Sequence, residues 1–260
     1  MGRAAAVLRA PSGAPQASDT LSLAAAAALL LALAAWDAFA GHLPDVGERW
    51  DVLVVAAVLF PATFLVPWLL LPLASRRALP LLFVASAGVA VLLDLAGLEG
   101  GFNSAKIVAF TLFGFWFVQM LEALSWVVLV AAVIPWVDIA SVYQGPTRVV
   151  VEEQPGLFER IAVSFSVPGE DAAARLGPPD VIFFALFLAA ARRFGLRARA
   201  TWLGMTGCLS ATLALTYAFD LDGLPALPAL SLGFVVPNAD LLWRALTTEG
   251  RGERRAPPEP

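Results

Sequence analysis

Between Leu21 and Ala245 the chain passes through a succession of apolar blocks, several as long as the ~20 residues that carry an α-helix across a bilayer. A transmembrane β-barrel would instead alternate apolar and polar positions, and no such alternation is present. Hydrophobic residues make up 59% of the chain and charged residues 15%, against roughly 45–50% and 25% in soluble domains. The surplus lies in the blocks. The expected fold is therefore an all-α polytopic membrane protein, a single bundle of eight or nine transmembrane helices over residues 19–247, between disordered tails at 1–18 and 248–260.

The blocks fall at about 21–41, 51–74, 79–98, a long stretch from 105 to 143, then 179–194, 199–219 and 224–245. At 1.5 Å per residue the long stretch exceeds one crossing, so it is split near Gln119–Glu122, after a turn at LEGGFN. A ninth span could lie in the proline-containing second block or in the long one. The first block is either a retained helix or a signal peptide, since Ala38-Phe39-Ala40 has the A-x-A cleavage pattern. Residues 144–177 form the one sizeable polar loop. Arginines cluster in alternate loops, at Arg76, Arg77, Arg192, Arg193, Arg197, Arg199 and the C-terminal tail. The positive-inside rule puts those segments in the cytoplasm and the 144–177 loop outside.

Several function classes drop out. One cysteine, Cys208, and one histidine, His42, exclude an intrachain disulfide and a Cys/His metal cluster. No basic, aromatic soluble face points to nucleic acid. The near absence of lysine, with abundant Ala, Gly and Pro, points to a GC-rich prokaryotic genome and a multi-pass protein of the cell membrane.

Acids in an apolar protein are the informative residues, because an ionised carboxylate in hydrocarbon costs several kcal/mol or more. Asp37, Asp51, Asp94, Glu122, Asp220, Asp222 and Asp240 fall near predicted ends or turns and are read as interfacial charges or caps. Asp138 lies inside its span, three residues after Pro135, which loosens the helix there. Asp180 opens the next span, in LGPPDVIFF, where an acid also suits a helix start. Spans joined by one loop run antiparallel, so the two acids are expected at the same depth below one surface. A third feature is GLPALPAL, residues 223–230, whose prolines favour an extended segment with free backbone carbonyls before the last span.

At these three places the chain resembles the presenilin and signal peptide peptidase superfamily of intramembrane aspartyl proteases, most closely its prokaryotic presenilin-like members. VDIASVYQGPTRVVVE (137–152) is similar to the segment around the family's first aspartate, Gly177-Pro178-Pro179-Asp180 stands where the family has G-x-G-D, and Pro225-Ala226-Leu227 matches its P-A-L motif. Two positions depart: Val137 replaces the usual Tyr, and Pro179 the glycine before the second aspartate. The resemblance implies catalysis by Asp138 and Asp180, with Gly177, Pro225, Ala226 and Leu227 at the substrate. It implies no metal and no cofactor. The partners are the lipid bilayer and transmembrane helices of other proteins. One carboxylate takes a proton from water while the other protonates the amide.

The loop segment RIAVSFSVPG alternates at Val163, Phe165 and Val167 and is expected to offer a strand edge to an unwound substrate, or else to be a plain hairpin. Two other readings stay open: an inactive relative acting as a helix-binding scaffold or chaperone, and a proton-coupled transporter using the acids as a relay.

Overall fold

The computed structural model describes residues 17–144, 160–221 and 224–253. The Gly145-Pro146 and Val151-Glu152 part of the first motif, Arg148, Asp222, Gly223 and both tails beyond these limits lie outside the described residues.

Eight long helices stand among the described residues: α1 Ala17–Phe39, α2 Glu48–Leu73, α3 Leu79–Leu95, α4 Glu99–Met120, α5 Leu124–Gln144, α6 Pro178–Arg193, α7 Ala198–Ala218 and α8 Leu227–Glu253. Four of them, α2, α4, α1 extended to His42, and α5 over Leu124–Ser141, are long and apolar enough to cross a membrane. Helix α3 is apolar but shorter, and α6, at 16 residues, is about 24 Å long. Large apolar side chains point outward along the bundle, among them Leu31, Leu81, Leu92, Trp136, Leu203 and Trp243, as lipid-facing residues do.

The long block divides where expected, between Met120 and Leu124. Its beginning differs: LEGGFN is not a turn, and α4 starts at Glu99. Gly100 serves a helix crossing instead. A Cβ on Gly100 would lie 2.5 Å from the Ala34 carbonyl oxygen of α1, so only glycine allows that approach.

Helix α6 sits at the centre. Val181 and Phe184 through Ala191 are all buried, the pattern of a helix surrounded on every side. Phe184 stacks on Phe64 of α2 at 4.2 Å, and Phe187 on Phe234 of α8 at 4.8 Å. Helix α4 packs along α6 through Gly114, where a Cβ would meet the Ile182 carbonyl at 2.4 Å. Helix α5 is peripheral. It packs chiefly on α8, with a lighter contact to α6.

Proline shapes α2. It passes through a π turn at Val55–Leu59, in which Phe60 N–H reaches back to the Val55 carbonyl. Pro61 has no N–H to continue that pattern onto the Ala56 carbonyl. The Ser210 hydroxyl of α7 donates to it instead, at 2.7 Å.

The 144–177 loop contains one antiparallel hairpin among its described residues, β1 Val163–Val167 with β2 Glu170–Leu176, turning at Pro168-Gly169. It is fastened to the ends of several helices. Gly169 N–H donates to Ala40 O at 3.1 Å, Trp36 Nε1–H to Ser166 O at 2.9 Å, and the Ser166 hydroxyl to Asp37. Lys106 Nζ donates to the Arg160 and Ala162 carbonyls, and Arg160 pairs with Asp94 at 2.6 Å.

The strand forms as its alternation predicts, but Val163 and Phe165 do not offer it to a substrate. Their side chains are buried in the core, Phe165 edge-on to Phe60 at 5.0 Å. The outer edge of β1 is occupied as well, since Asn103 Nδ2 donates to Ser164 O at 2.7 Å and Asn103 Oδ1 accepts from Ser164 N–H at 3.0 Å. The side-chain amide takes the place of a neighbouring strand. Asn103→Ala leaves both Ser164 groups unpaired and is expected to cost about 2 kcal/mol. Faster hydrogen exchange at Ser164, with the helices unchanged, is the accompanying signature.

Candidate active site

Two acids, a glycine-proline helix start and the P-A-L segment come together where α5 ends and α6 and α8 begin. Asp138 lies about a turn and a half before the end of α5, and the helix runs through Pro135 without a break. Its Oδ2 accepts the Leu227 N–H at 3.0 Å, and the Ala226 N–H also faces the carboxylate. Leu227 is the first residue of α8, where backbone N–H groups have no partner within the helix. Asp138 therefore caps another helix. The bond joins residues 89 apart in sequence and clips α5 to the P-A-L segment.

That segment is non-helical from Leu224 to Ala226, and Pro228 falls in the first turn of α8. Proline is acceptable there because an N–H would find no acceptor within the helix. The entry is non-helical, with a bend at Ala226. The groups engaged by the aspartate are N–H donors of Ala226 and Leu227, however, and not the carbonyls.

Asp180 is the third residue of α6, after Pro178 and Pro179. Those prolines remove two of the unpartnered N–H groups of the first turn, and Asp180's own N–H donates to Gly177 O at 3.1 Å. The helix start thus makes little demand on the Asp180 side chain. One of its oxygens, Oδ2, accepts from Gly177 N–H at 3.0 Å. This is one half of a capping box, since glycine has no side chain to return the bond. The other oxygen has no hydrogen-bond partner among the described residues. Pro179 thus sits at a position that needs no N–H, and its fixed φ holds Asp180 on the first turn.

The two carboxylates are close enough for their charges to repel, and both are half-buried. No protein-family profile matches the chain, and no characterised protein matches it. The chemistry of the site rests on its own residues.

Of the residues singled out in the sequence, Asp138, Asp180, Gly177, Pro225, Ala226 and Leu227 converge here, whereas Val163 and Phe165 do not. The remaining acids divide. Asp37, Asp94 and Asp240 hold partners at the ends of the bundle. Asp51, expected as an interfacial charge or cap, does lie in the first turn of α2 but is buried, its Oδ1 without a partner among the described residues. Asn103, which closes the edge of β1, carries no motif in the sequence, and an asparagine in an apolar span is the only signal that could have marked it.

Among the described residues no three His, Cys, Asp or Glu side chains are grouped as metal ligands. What the arrangement can do is general acid–base chemistry on a water: two carboxyls, each oriented by a backbone N–H, on separate helices beside a non-helical segment.

Proposed function

We propose that the protein is an intramembrane aspartyl protease that cleaves transmembrane helices of other membrane proteins. The observation that carries this reading is the meeting of Asp138 and Asp180, with the P-A-L segment bonded to one of them. Two neighbouring carboxyls cannot both ionise cheaply and share one proton. The ionised member removes a proton from water, the resulting hydroxide attacks the amide carbonyl carbon, and the protonated member gives its proton to the carbonyl oxygen. Breakdown of the tetrahedral intermediate passes a proton to the leaving nitrogen and restores the pair. The pair titrates as a unit.

All eight helices are spans in this reading. Alternation then puts the turns at 74–78, 121–123 and 194–197 on one side, with Arg76, Arg77, Arg192, Arg193, Arg197 and Arg199. The hairpin and the acids lie on the other, and the positive-inside rule makes the arginine side cytoplasmic. The peripheral position of α5 leaves a lateral approach for a substrate helix.

A helical substrate has its carbonyls occupied and must unwind before cleavage. The strand available to it is β2, not β1. No third strand pairs with β2 among the described residues, and β2 leads directly into Gly177 and Asp180. Since Ser164 turns its N–H and C=O toward Asn103, the Ser164–Arg175 pair is one whose backbone groups face away from the partner strand. Ala174→Pro, which removes a ladder bond, should unfold the hairpin.

A second reading has its own observation: each carboxylate accepts a backbone N–H, so both could serve only as caps in an inactive helix-binding scaffold. The deciding experiment incubates the full chain, purified into bilayers, with a synthetic single-span peptide and maps the products by mass. Cleavage inside the apolar stretch supports the protease. Stable binding without products supports the scaffold.

A further inference from the structure

We infer that an open cavity at the arginine-rich end of the bundle binds the phosphate of an anionic phospholipid headgroup. The cavity, about 530 Å³, lies between the end of α2, the end of α6 and the start of α7, at the end of the protein opposite the aspartates. Its lining includes Trp68, Leu71, Arg192, Arg197 and Arg199.

The charges in it are unequal. Arg197 is already neutralised: Nη1 and Nη2 contact Asp240 Oδ1 and Oδ2 at 2.6 and 2.9 Å, and Nη1 also reaches Pro237 O at 2.7 Å. This holds one wall of the cavity in place. Arg192 and Arg199 have no acidic partner among the described residues, so two guanidinium groups are left for an anion. Their planar forks suit a phosphate's paired oxygens.

Two further donors reinforce the charge. The start of α7 has no side-chain cap, and the Arg199 and Ala200 N–H groups have no acceptor among the described residues. Unpartnered N–H groups at a helix start favour an anion. The Trp68 indole N–H is likewise without an acceptor among the described residues. Its ring and buried Leu71 give the cavity an apolar side, as residues at a headgroup–acyl boundary do. Arginines, a helix start and an apolar wall in one cavity fit a phosphate that carries acyl chains better than a free ion. The inference rests on the bundle being membrane-spanning and is independent of cleavage.

The test compares lipid retention by the full chain in phosphatidylcholine nanodiscs doped with phosphatidylglycerol, with bound lipids counted by native mass spectrometry. The protein should retain phosphatidylglycerol about tenfold over phosphatidylcholine. Arg192→Gln with Arg199→Gln should abolish the preference. Arg76→Gln with Arg77→Gln, an equal charge change in a nearby turn, should keep it. If the first pair proves unstable in phosphatidylcholine alone, Arg192→Lys with Arg199→Lys keeps the charge, and the preference should fall several-fold for want of the fork. Three results overturn the proposal: no preference in the native protein, equal loss from both glutamine pairs, or displacement of phosphatidylglycerol by soluble glycerol phosphate, which would make this a site for free phosphate.

Discussion

Asp138→Asn and Asp180→Asn should each lower cleavage by at least about 10³-fold while leaving thermal stability within about 0.5 kcal/mol of the native protein. The separation of the two effects follows from the hydrogen bonds. Asparagine keeps a side-chain oxygen, so it can still accept from Leu227 N–H at position 138 and from Gly177 N–H at position 180. What it cannot do is hold or release the shared proton. Alanine at the same positions loses the acceptor too and should cost about 1 kcal/mol in addition to activity. The doubly substituted Asn protein should be no slower than either single variant, because groups acting as a unit do not add. Cleavage rates and unfolding midpoints of the native protein and the five variants check the pattern. If both Asn variants kept native rates, the acids would be caps and nothing more.

The second large effect is on the fold. Gly233→Ala should destabilise the bundle by about 3 kcal/mol, because the new Cβ would lie 2.5 Å from the Met205 N and Cα atoms and 2.6 Å from Gly204 C. Those atoms are backbone and cannot swing aside. Helices α7 and α8 would have to separate, carrying Leu227 away from Asp138, so activity should fall with stability. Gly88→Ala is the matched control in the middle of α3. Nothing lies within 4 Å of its added Cβ, and the helix should gain about 1 kcal/mol from alanine's propensity. Unfolding midpoints in one detergent decide the comparison. Equal effects at the two positions would mean that the α7–α8 crossing is looser than its distances say.

Helix positions are largely legible in the sequence because they follow from local physics. A long apolar block bounded by charge makes a helix, and the break after Met120 could be read from length alone. The role of Gly100 could not, since the Gly100-Gly101 pair signals a turn locally, and Gly100 a close crossing only when Ala34 is known to be its neighbour. The alternation of Val163, Phe165 and Val167 is a local signal and correctly marks a strand. Which edge of that strand is open is a nonlocal fact, decided by an asparagine 61 residues away. The site divides in the same way. Asp138 and Asp180 stand out because acids in apolar runs are costly, whereas the bond from Asp138 to the P-A-L segment depends on how α5 packs on α8. The arginine cavity draws on residues 68–71 and 192–200, and no sequence pattern joins them.

The central claim is that Asp138 and Asp180 face each other across one gap. Asp138→Cys with Asp180→Cys, in a Cys208→Ala background and in bilayers, tests it with thiol cross-linkers of graded length. Two carboxyls that work on one water lie within reach of a single bridging water, roughly 6 Å apart, so the shortest bifunctional reagent should join the pair in high yield, and longer ones should add nothing. No cross-link with any reagent up to about twice that reach, in a protein whose single-cysteine forms both label fully, would contradict the pairing.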